Sequence, residues 1–159
     1  MAKEIERKFL LRDERWRENV TRSSEIRDGF ICQQDGIKLR VRFCDGRATL
    51  TLKGPRQGLA RDEFEYEIPA ADGRAMLDRL SPFGRVEKTR HHVFHDGFAW
   101  TVDEFAGALA GLVFCEIELT TETQRFPRPP WLGREVTGQR AYQQVTLLHE
   151  AAARSLAAG

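Results

Sequence analysis

A period of two runs through most of this chain and constrains its fold more than any other feature. In EIERKF, IKLRVRF, RATLTLK, DEFEYE, VEKTR and CEIE, charged or polar residues alternate with apolar ones. Side chains two apart in a strand share one face. One set of faces therefore carries Glu4, Glu6 and Lys8; Arg40 and Arg42; Lys53; Glu63 and Glu65; Lys88 and Arg90; Asp103; and Glu116 with Glu118. The opposite faces are mainly apolar: Ile5, Leu39, Val41, Leu50, Leu52, Phe64, Tyr66, Val102, Cys115, Ile117 and Leu119. Gly, Asp and Pro punctuate the segments, with turns expected at Gln34-Asp35-Gly36, Asp45-Gly46 and His95-Asp96-Gly97, so successive strands are expected to pair antiparallel.

The strands read as EIERKFLL, SEIRDGFICQQ, IKLRVRF, RATLTLKG, ARDEFEYEIP, GRVEKTRHHVF, FAWTVDEF and LVFCEIEL. A short helix is expected over ADGRAMLDRL, with Asp72 as its N-cap and Met76, Leu77 and Leu80 as its apolar stripe. FPRPPWLG reads as a proline-rich connection rather than a strand. The tail AYQQVTLLHEAAARSL turns helical, with Tyr142, Val145, Leu148 and Ala152 on one side. No repeat or linker breaks the pattern, so residues 1–159 read as one mainly β (α+β) domain of about eight strands with a few helices.

An antiparallel sheet with one wet face gives the same alternation. Two features argue for more. A solvated face mixes Thr, Ser, Gln and Lys, whereas these faces carry tight pairs of one sign: Glu-x-Glu, Arg-x-Arg, Glu-x-Glu, Lys-x-Arg and Glu-x-Glu. The helices also need an apolar surface to cover. If they lie on the outside of a curled sheet, the charged faces line a wet lumen. That lumen would hold six cations, Lys8, Arg40, Arg42, Lys53, Lys88 and Arg90, and seven carboxylates, Glu4, Glu6, Glu63, Glu65, Asp103, Glu116 and Glu118. A polyphosphate carried with a hard divalent cation accounts for both sets, since guanidinium and ammonium groups hold phosphate oxygens and carboxylates hold the metal. Mg2+ or Mn2+ suits such oxygen donors better than zinc, because His/Cys ligand spacing is missing.

Composition narrows the partners. The formal charge is +1, from 25 basic and 24 acidic residues, which calls for neither nucleic acid nor a membrane surface. No apolar run has the length of a membrane span, and the charged N-terminus lacks a signal-peptide apolar region, so the chain reads as cytoplasmic; a homodimer is left open. Cys32, Cys44 and Cys115 are an odd, widely spaced set, read as reduced thiols. Trp16, Trp100 and Trp131 read as packing residues. His91, His92 and His95 read as exposed or hydrogen-bonding rather than metal-ligating. Gly54-Pro55-Arg56-Gln57-Gly58 is a hairpin loop without a P-loop ending.

The ordered set of motifs carries a resemblance. Glu4-Ile5-Glu6-Arg7-Lys8 resembles the Glu-x-Glu-x-Lys signature that opens CYTH-domain proteins, the triphosphate tunnel metalloenzymes. Leu39-Arg40-Val41-Arg42, Thr49 to Lys53, Glu63 with Glu65, Val86 to Arg90, Asp103 and Glu116-Ile117-Glu118 follow in the family's order, as do Pro129-Pro130-Trp131 and Glu135-Val136-Thr137. The resemblance is to the short bacterial members. It implies an eight-stranded antiparallel β-barrel tunnel with a polar, charged lumen and external helices, and metal-dependent hydrolysis of inorganic triphosphate to pyrophosphate and phosphate. Carried over by position, Glu4, Glu6, Glu116 and Glu118 form the metal side, with Mg2+ or Mn2+ as cofactor. Lys8, Arg40, Arg42, Lys53, Lys88 and Arg90 hold the phosphate chain, and Lys8, Glu4 and Glu6 carry the catalysis. Glu63, Glu65 and Asp103 orient cations or serve a second metal.

Other readings of the same cage are a thiamine triphosphatase, a class IV adenylyl cyclase, or a polyphosphate- or nucleotide-binding module without turnover. Phe30 departs from the family, whose short bacterial members often carry Tyr there; without its hydroxyl, activation of water falls to Lys8 or to the metal. Gln139 and Gln144 also stand where relatives commonly have Asp and Asn, which weakens any site assignment to the C-terminal helix.

Overall fold

The computed structural model describes residues 3–158; Met1, Ala2 and Gly159, at the ends of the expected domain, lie outside the described residues. The strands are β1 (Lys3–Leu11), β2 (Val20–Gln34), β3 (Ile37–Cys44), β4 (Arg47–Lys53), β5 (Ala60–Ile68), β6 (Arg85–His95), β7 (Phe98–Ala106), β8 (Val113–Glu118) and β9 (Leu132–Glu135). The helices are α1 (Ala70–Arg79) and α2 (Gln144–Ala158). The strands pair antiparallel in the order β5-β4-β3-β2-β6-β7-β8-β1, and β1 pairs back to β5 from Lys3↔Asp62 to Ile5↔Ala60. The sheet thus closes into an eight-stranded barrel. Closure joins the two end strands of the sheet and gives the alternating faces an inside and an outside.

Asp35-Gly36, Asp45-Gly46 and Asp96-Gly97 turn three hairpins, with φ of 50° and 81°, 50° and 79°, and 45° and 81°. Left-handed φ at both central residues matches the twist of the flanking strands, which is why Asp-Gly marks these turns in the sequence.

β2 begins at Val20, earlier than SEIRDG suggests, because Val20, Arg22 and Ser23 continue the ladder with β6 around a register shift at Thr21. FPRPPWLG is not wholly a connection. Its prolines end at Pro130, and Leu132–Glu135 form β9, which pairs with β1 at Phe9↔Glu135 and Leu11↔Leu132. β1 is therefore shared, with β8 on one edge and β5, then β9, on the other. Helix α1 is capped by Pro69 rather than Asp72, and no side chain bonds to its N-terminus. The fixed φ of proline ends β5 and opens the helix, leaving Asp72 within the first turn, where its charge still favours the helix dipole. Of the expected stripe Leu77 is buried, while Leu80 lies beyond the helix and is exposed. In the tail Tyr142 belongs to a short 3-10 turn and α2 starts at Gln144; Val145 and Leu148 are buried, with Leu147 in place of the exposed Ala152.

Apolar side chains gather in two places. Ile5, Phe9, Val93, Trp100, Val102, Cys115, Ile117 and Leu119 point outward from the barrel and are covered by Trp16, Trp131 and Leu132. The three tryptophans are each 1% exposed, in keeping with a packing role. The second cluster differs from the expectation that both helices cover the outside. Phe30, Val86, Phe105 and Phe114 share inward parity with Asp28, Lys88, Asp103 and Glu116, yet they pack against Leu109 and α2 through Val145, Leu147 and Leu148. The inner wall is thus apolar at one end, where α2 closes it, and charged beyond. The outer face of β5 and of the end of β4 is open to solvent, with Tyr66 64%, Leu52 41% and Phe64 37% exposed; α1 packs instead on β3, β2 and the start of β4, where Gly73 meets the buried Ala48.

β9 brings the following segment onto β1 beside Lys8: Val136 N donates to the Lys8 carbonyl (2.8 Å) and Lys8 N to Thr137 Oγ1 (2.9 Å). Gly133 permits this approach, since a Cβ there would lie 2.8 Å from the Leu10 carbonyl oxygen. Backbone cannot step aside as a side chain can. Gly133→Ala is expected to cost about 1–3 kcal/mol in urea unfolding, whereas Gly97→Ala, which meets no atom within 4 Å, tests the cost of positive φ alone.

Candidate active site

The lumen is a cavity of about 560 Å3. Of the sequence-derived site residues, Glu4, Glu6, Lys8, Arg40, Arg42, Lys53, Glu63, Glu65, Lys88, Arg90, Glu116 and Glu118 line it. Asp103 lies behind the wall, 3% exposed, and orients cations rather than lining the cavity.

The ladders explain the neighbours. Glu6 stands opposite Glu118 and Lys8 opposite Glu116 across β1 and β8. Lys53 stands between Lys38 and Glu63, and Arg90 opposite Asp103. Two buried carboxylates anchor the cations. Asp28, 0% exposed, accepts two hydrogen bonds from Arg42 (2.8 and 2.9 Å) and lies 3.7 Å from Arg40 and 3.8 Å from Lys88. Burial works to raise its pKa, but Arg42, Arg40 and Lys88 overcome it and hold the carboxyl far below the usual range. Asp103 accepts from Lys88 Nζ (2.6 Å) and from Arg90 Nε and Nη2 (2.7 and 2.8 Å). Against burial, Lys88 and Arg90 likewise hold it far down. Lys88, 2% exposed, is itself pushed down to about 8 because burial outweighs Asp103.

The carboxylate wall is unevenly compensated. Burial raises the Glu4 pKa, but Lys53 (2.6 Å) and Arg61 bring it down to about 2. Glu116 is held down, against burial, by Lys8 (3.2 Å) and Arg90 (3.4 Å). Glu6 has only Arg56, at 3.7 Å; burial, Glu116 and Glu4 raise it to about 7. Glu118 has no cation within 4.0 Å among the described residues. Glu116 and Glu4 crowd Glu6 with like charge, and Glu118 stands opposite it across the ladder, so a divalent cation placed at this wall would relieve the excess. No three described His, Cys, Asp or Glu side chains converge into a metal cage by themselves. That donor set fits magnesium or manganese, which take one or two carboxylates and complete their shell with water and phosphate oxygens.

Several lining residues were absent from the sequence-derived set: Lys38, Arg56, Arg61, and Val136 to Gln139 with Tyr142 to Val145 of the segment after β9. Parity was available for Lys38, which precedes Arg40 by two, and for Arg61, which precedes Glu63 by two. Asp28 carried no such signal, lying between Ile26 and Phe30 on its own face. Arg56 comes from the Gly54 to Gly58 loop. Gln139 and Gln144 also line the cavity despite their departure from the family pattern, and Phe30 lines it while packing in the apolar end. Outside the lumen, His91 bonds Glu104 (2.6 Å) and Ser23 (2.7 Å).

Removal of Asp28 leaves enclosed cations without their partner. Asp28→Asn is expected to lose about 3–5 kcal/mol at pH 7. Asp28 and Asp103 both have folded pKa values below their unfolded ones. Their contribution is therefore complete above pH about 4 and is lost as pH falls further. Thermal unfolding of wild type from pH 7 to 2 should show the melting temperature falling below pH about 4, and the gap to Asp28→Asn narrowing there.

This geometry agrees with the comparisons. The CYTH domain model matches residues 2–151. An inorganic triphosphatase of Acetivibrio thermocellus is 38% identical over 148 residues, covering 93% of this chain and 94% of that protein. One of Nitrosomonas europaea is 35% identical, covering 91% and 95%. A crystal structure of an inorganic triphosphatase superposes with a TM-score of 0.65 at 33% identity, over 91% of this chain and 96% of that one. The chain belongs to the CYTH domain family.

Proposed function

We propose that this protein hydrolyses inorganic triphosphate to pyrophosphate and phosphate inside the tunnel, with Mg2+ or Mn2+. The observation that carries the reading is the two-sign lumen: a cation row fixed from behind by Asp28 and Asp103 shares the cavity with a carboxylate wall on which Glu6 is incompletely compensated, with Arg56 at 3.7 Å. The curated relatives named inorganic triphosphatase support it.

Phosphoryl transfer asks a protein mainly for positioning and charge stabilisation. Arg42 and Arg90 each give one edge of the guanidinium, Nε and Nη2, to Asp28 and Asp103, so the groups are fixed in place and their remaining donors are left for the cavity. With Arg40, Lys53 and Lys88 they hold the phosphate chain and spread the charge of the transferring group. Glu6, Glu116 and Glu118, with Glu4 beside them, would hold the divalent cation, which supplies charge neutralisation at the phosphate oxygens and at the attacking water. Lys8 Nζ sits 3.2 Å from Glu116 Oε1 and 4.7 Å from the centre of the Phe114 ring. We assign it to orienting the water and the terminal phosphate. Phe30 offers no hydroxyl to share that task. Glu63 and Glu65 position Lys53 and Arg40, at 3.3 and 3.9 Å.

The test is phosphate release from triphosphate, pyrophosphate, ATP and thiamine triphosphate with magnesium, manganese and calcium in parallel. Rapid cleavage of triphosphate and little of the others is expected. Binding without turnover would replace the enzyme with a binding module, and cyclic AMP from ATP would identify a cyclase. Glu6→Gln should fold and lose about 10²-fold or more of the metal-dependent rate; full activity would remove Glu6 from the site. Phe30→Tyr should raise the rate or move the pH optimum if the missing hydroxyl matters to water activation, while an inert exchange would assign Phe30 to packing alone.

A further inference from the structure

Among the described residues, the cations that line the cavity are each within 4.0 Å of a carboxylate, with one exception. Lys38 has no carboxylate partner. Its Nζ donates instead to Gln143 Oε1 at 3.1 Å. Gln143 belongs to the segment that β9 brings across β1, so a β3 side chain and a residue just before α2 meet over the cavity. Burial, with Arg61, Arg56, Lys53 and Lys8 nearby, disfavours the charged ammonium and pushes Lys38 down to about 8.

Position gives this ammonium a direction. Lys38, Arg40 and Arg42 follow one another at two-residue steps on β3, about 6–7 Å apart along the strand. Arg42 is tied to Asp28, and Arg40 has Asp28 at 3.7 Å and Glu65 at 3.9 Å. Lys38 prolongs the row away from the Asp28 end by one step, opposite Lys53, which itself takes up Glu4 and Glu63. An ammonium has three donors, and one is taken by Gln143. An anion arriving there replaces no internal ion pair, in contrast to one arriving at Lys53 or Arg61, which Glu4 already holds.

We propose that Lys38, set in place by Gln143, binds a terminal phosphate of an unesterified polyphosphate chain and so selects inorganic triphosphate over triphosphates that carry an organic group at the end that reaches it. The assignment rests on the reading of the lumen as a polyphosphate site. An unesterified end brings more charge and free oxygens to Lys38, whereas an ester puts a bulky neutral nucleoside, or the cationic thiazolium of thiamine, against an ammonium without a carboxylate partner.

The experiment is calorimetric binding of tripolyphosphate and of ATP, without divalent metal so that neither turns over, to wild type, Lys38→Met and Lys38→Arg. The same variants are followed by kcat and KM for triphosphate with magnesium, and their folding by thermal unfolding. A charge-assisted hydrogen bond lost from the bound state predicts about tenfold or more weaker tripolyphosphate binding in Lys38→Met. ATP binding should weaken less than about twofold, and the kinetic loss should fall on KM rather than kcat. Lys38→Arg, which keeps the charge, should retain most of the selectivity. Equal weakening of both ligands would show a general field effect and overturn the assignment, as would no change in either. If wild type binds and cleaves triphosphate while Lys38→Met matches it, only the role of Lys38 falls. If wild type binds no tripolyphosphate, the reading of the lumen falls and this assignment with it.

Discussion

Asp28 sits at 0% exposure with Arg42, Arg40 and Lys88 around it, and Asp103 repeats the arrangement with Lys88 and Arg90. Charges enclosed by a closed barrel cannot be screened by bulk water and must be neutralised where they stand. The two aspartates do this from behind the cavity wall, so that Arg42 and Arg90 keep donors facing inward. The arrangement is a weak source of net stability, since desolvation offsets much of the attraction between buried ions. Its effect is geometric: it fixes which way the forks point, and the ability of the lumen to receive an anion depends on that.

The apolar end of the barrel follows from the same constraint. Cations can stand inside only where carboxylates or water reach them, and where neither does the inward positions become Phe30, Val86, Phe105 and Phe114. Lys8 and Lys88 lie at the border, their ammonium groups 4.7 and 5.5 Å from the Phe114 and Phe105 ring centres. There an aromatic face supplements the carboxylate partner. Helix α2 closes this end because the inward apolar residues, like any others, need cover.

Most of the barrel was legible in the sequence because its signals are local. Strict alternation gave the strands, the three Asp-Gly turns gave the hairpins, and like-signed pairs such as Glu4 with Glu6 and Arg40 with Arg42 gave the inner face. What escaped depends on contacts distant in sequence. Leu132–Glu135 is too short to show a period, and it is a strand only because β1 offers an edge there. Asp28 is one acid among apolar neighbours, and its role exists only once β3 and β6 flank β2. The place of α2 was misread because a helical stripe reports that a helix needs cover, not which surface supplies it. Lys38 and Arg61 had the right parity and were passed over for lack of a motif, which shows that parity alone carried more of the site than the motifs did.

The ion pairs within the lumen also bear on how phosphate and metal share it. Glu4 is held by Lys53 on one carboxylate oxygen and Arg61 on the other, and as long as both cations keep it, its charge is neutralised. A polyphosphate that draws Lys53 and Arg61 to itself releases Glu4 beside Glu6, where carboxylate charge is already in excess. Carboxylates relieved of their cations attract a divalent ion more strongly, and an ion bound there lowers the cost of bringing phosphate charge into the barrel. On the proposed function the two ligands therefore assist each other through Glu4. By the reciprocity of linked equilibria, each raises the affinity for the other by the same factor. A lumen compensated in this way carries both signs yet is nearly neutral overall, which reconciles a closed barrel with a site for a highly charged chain.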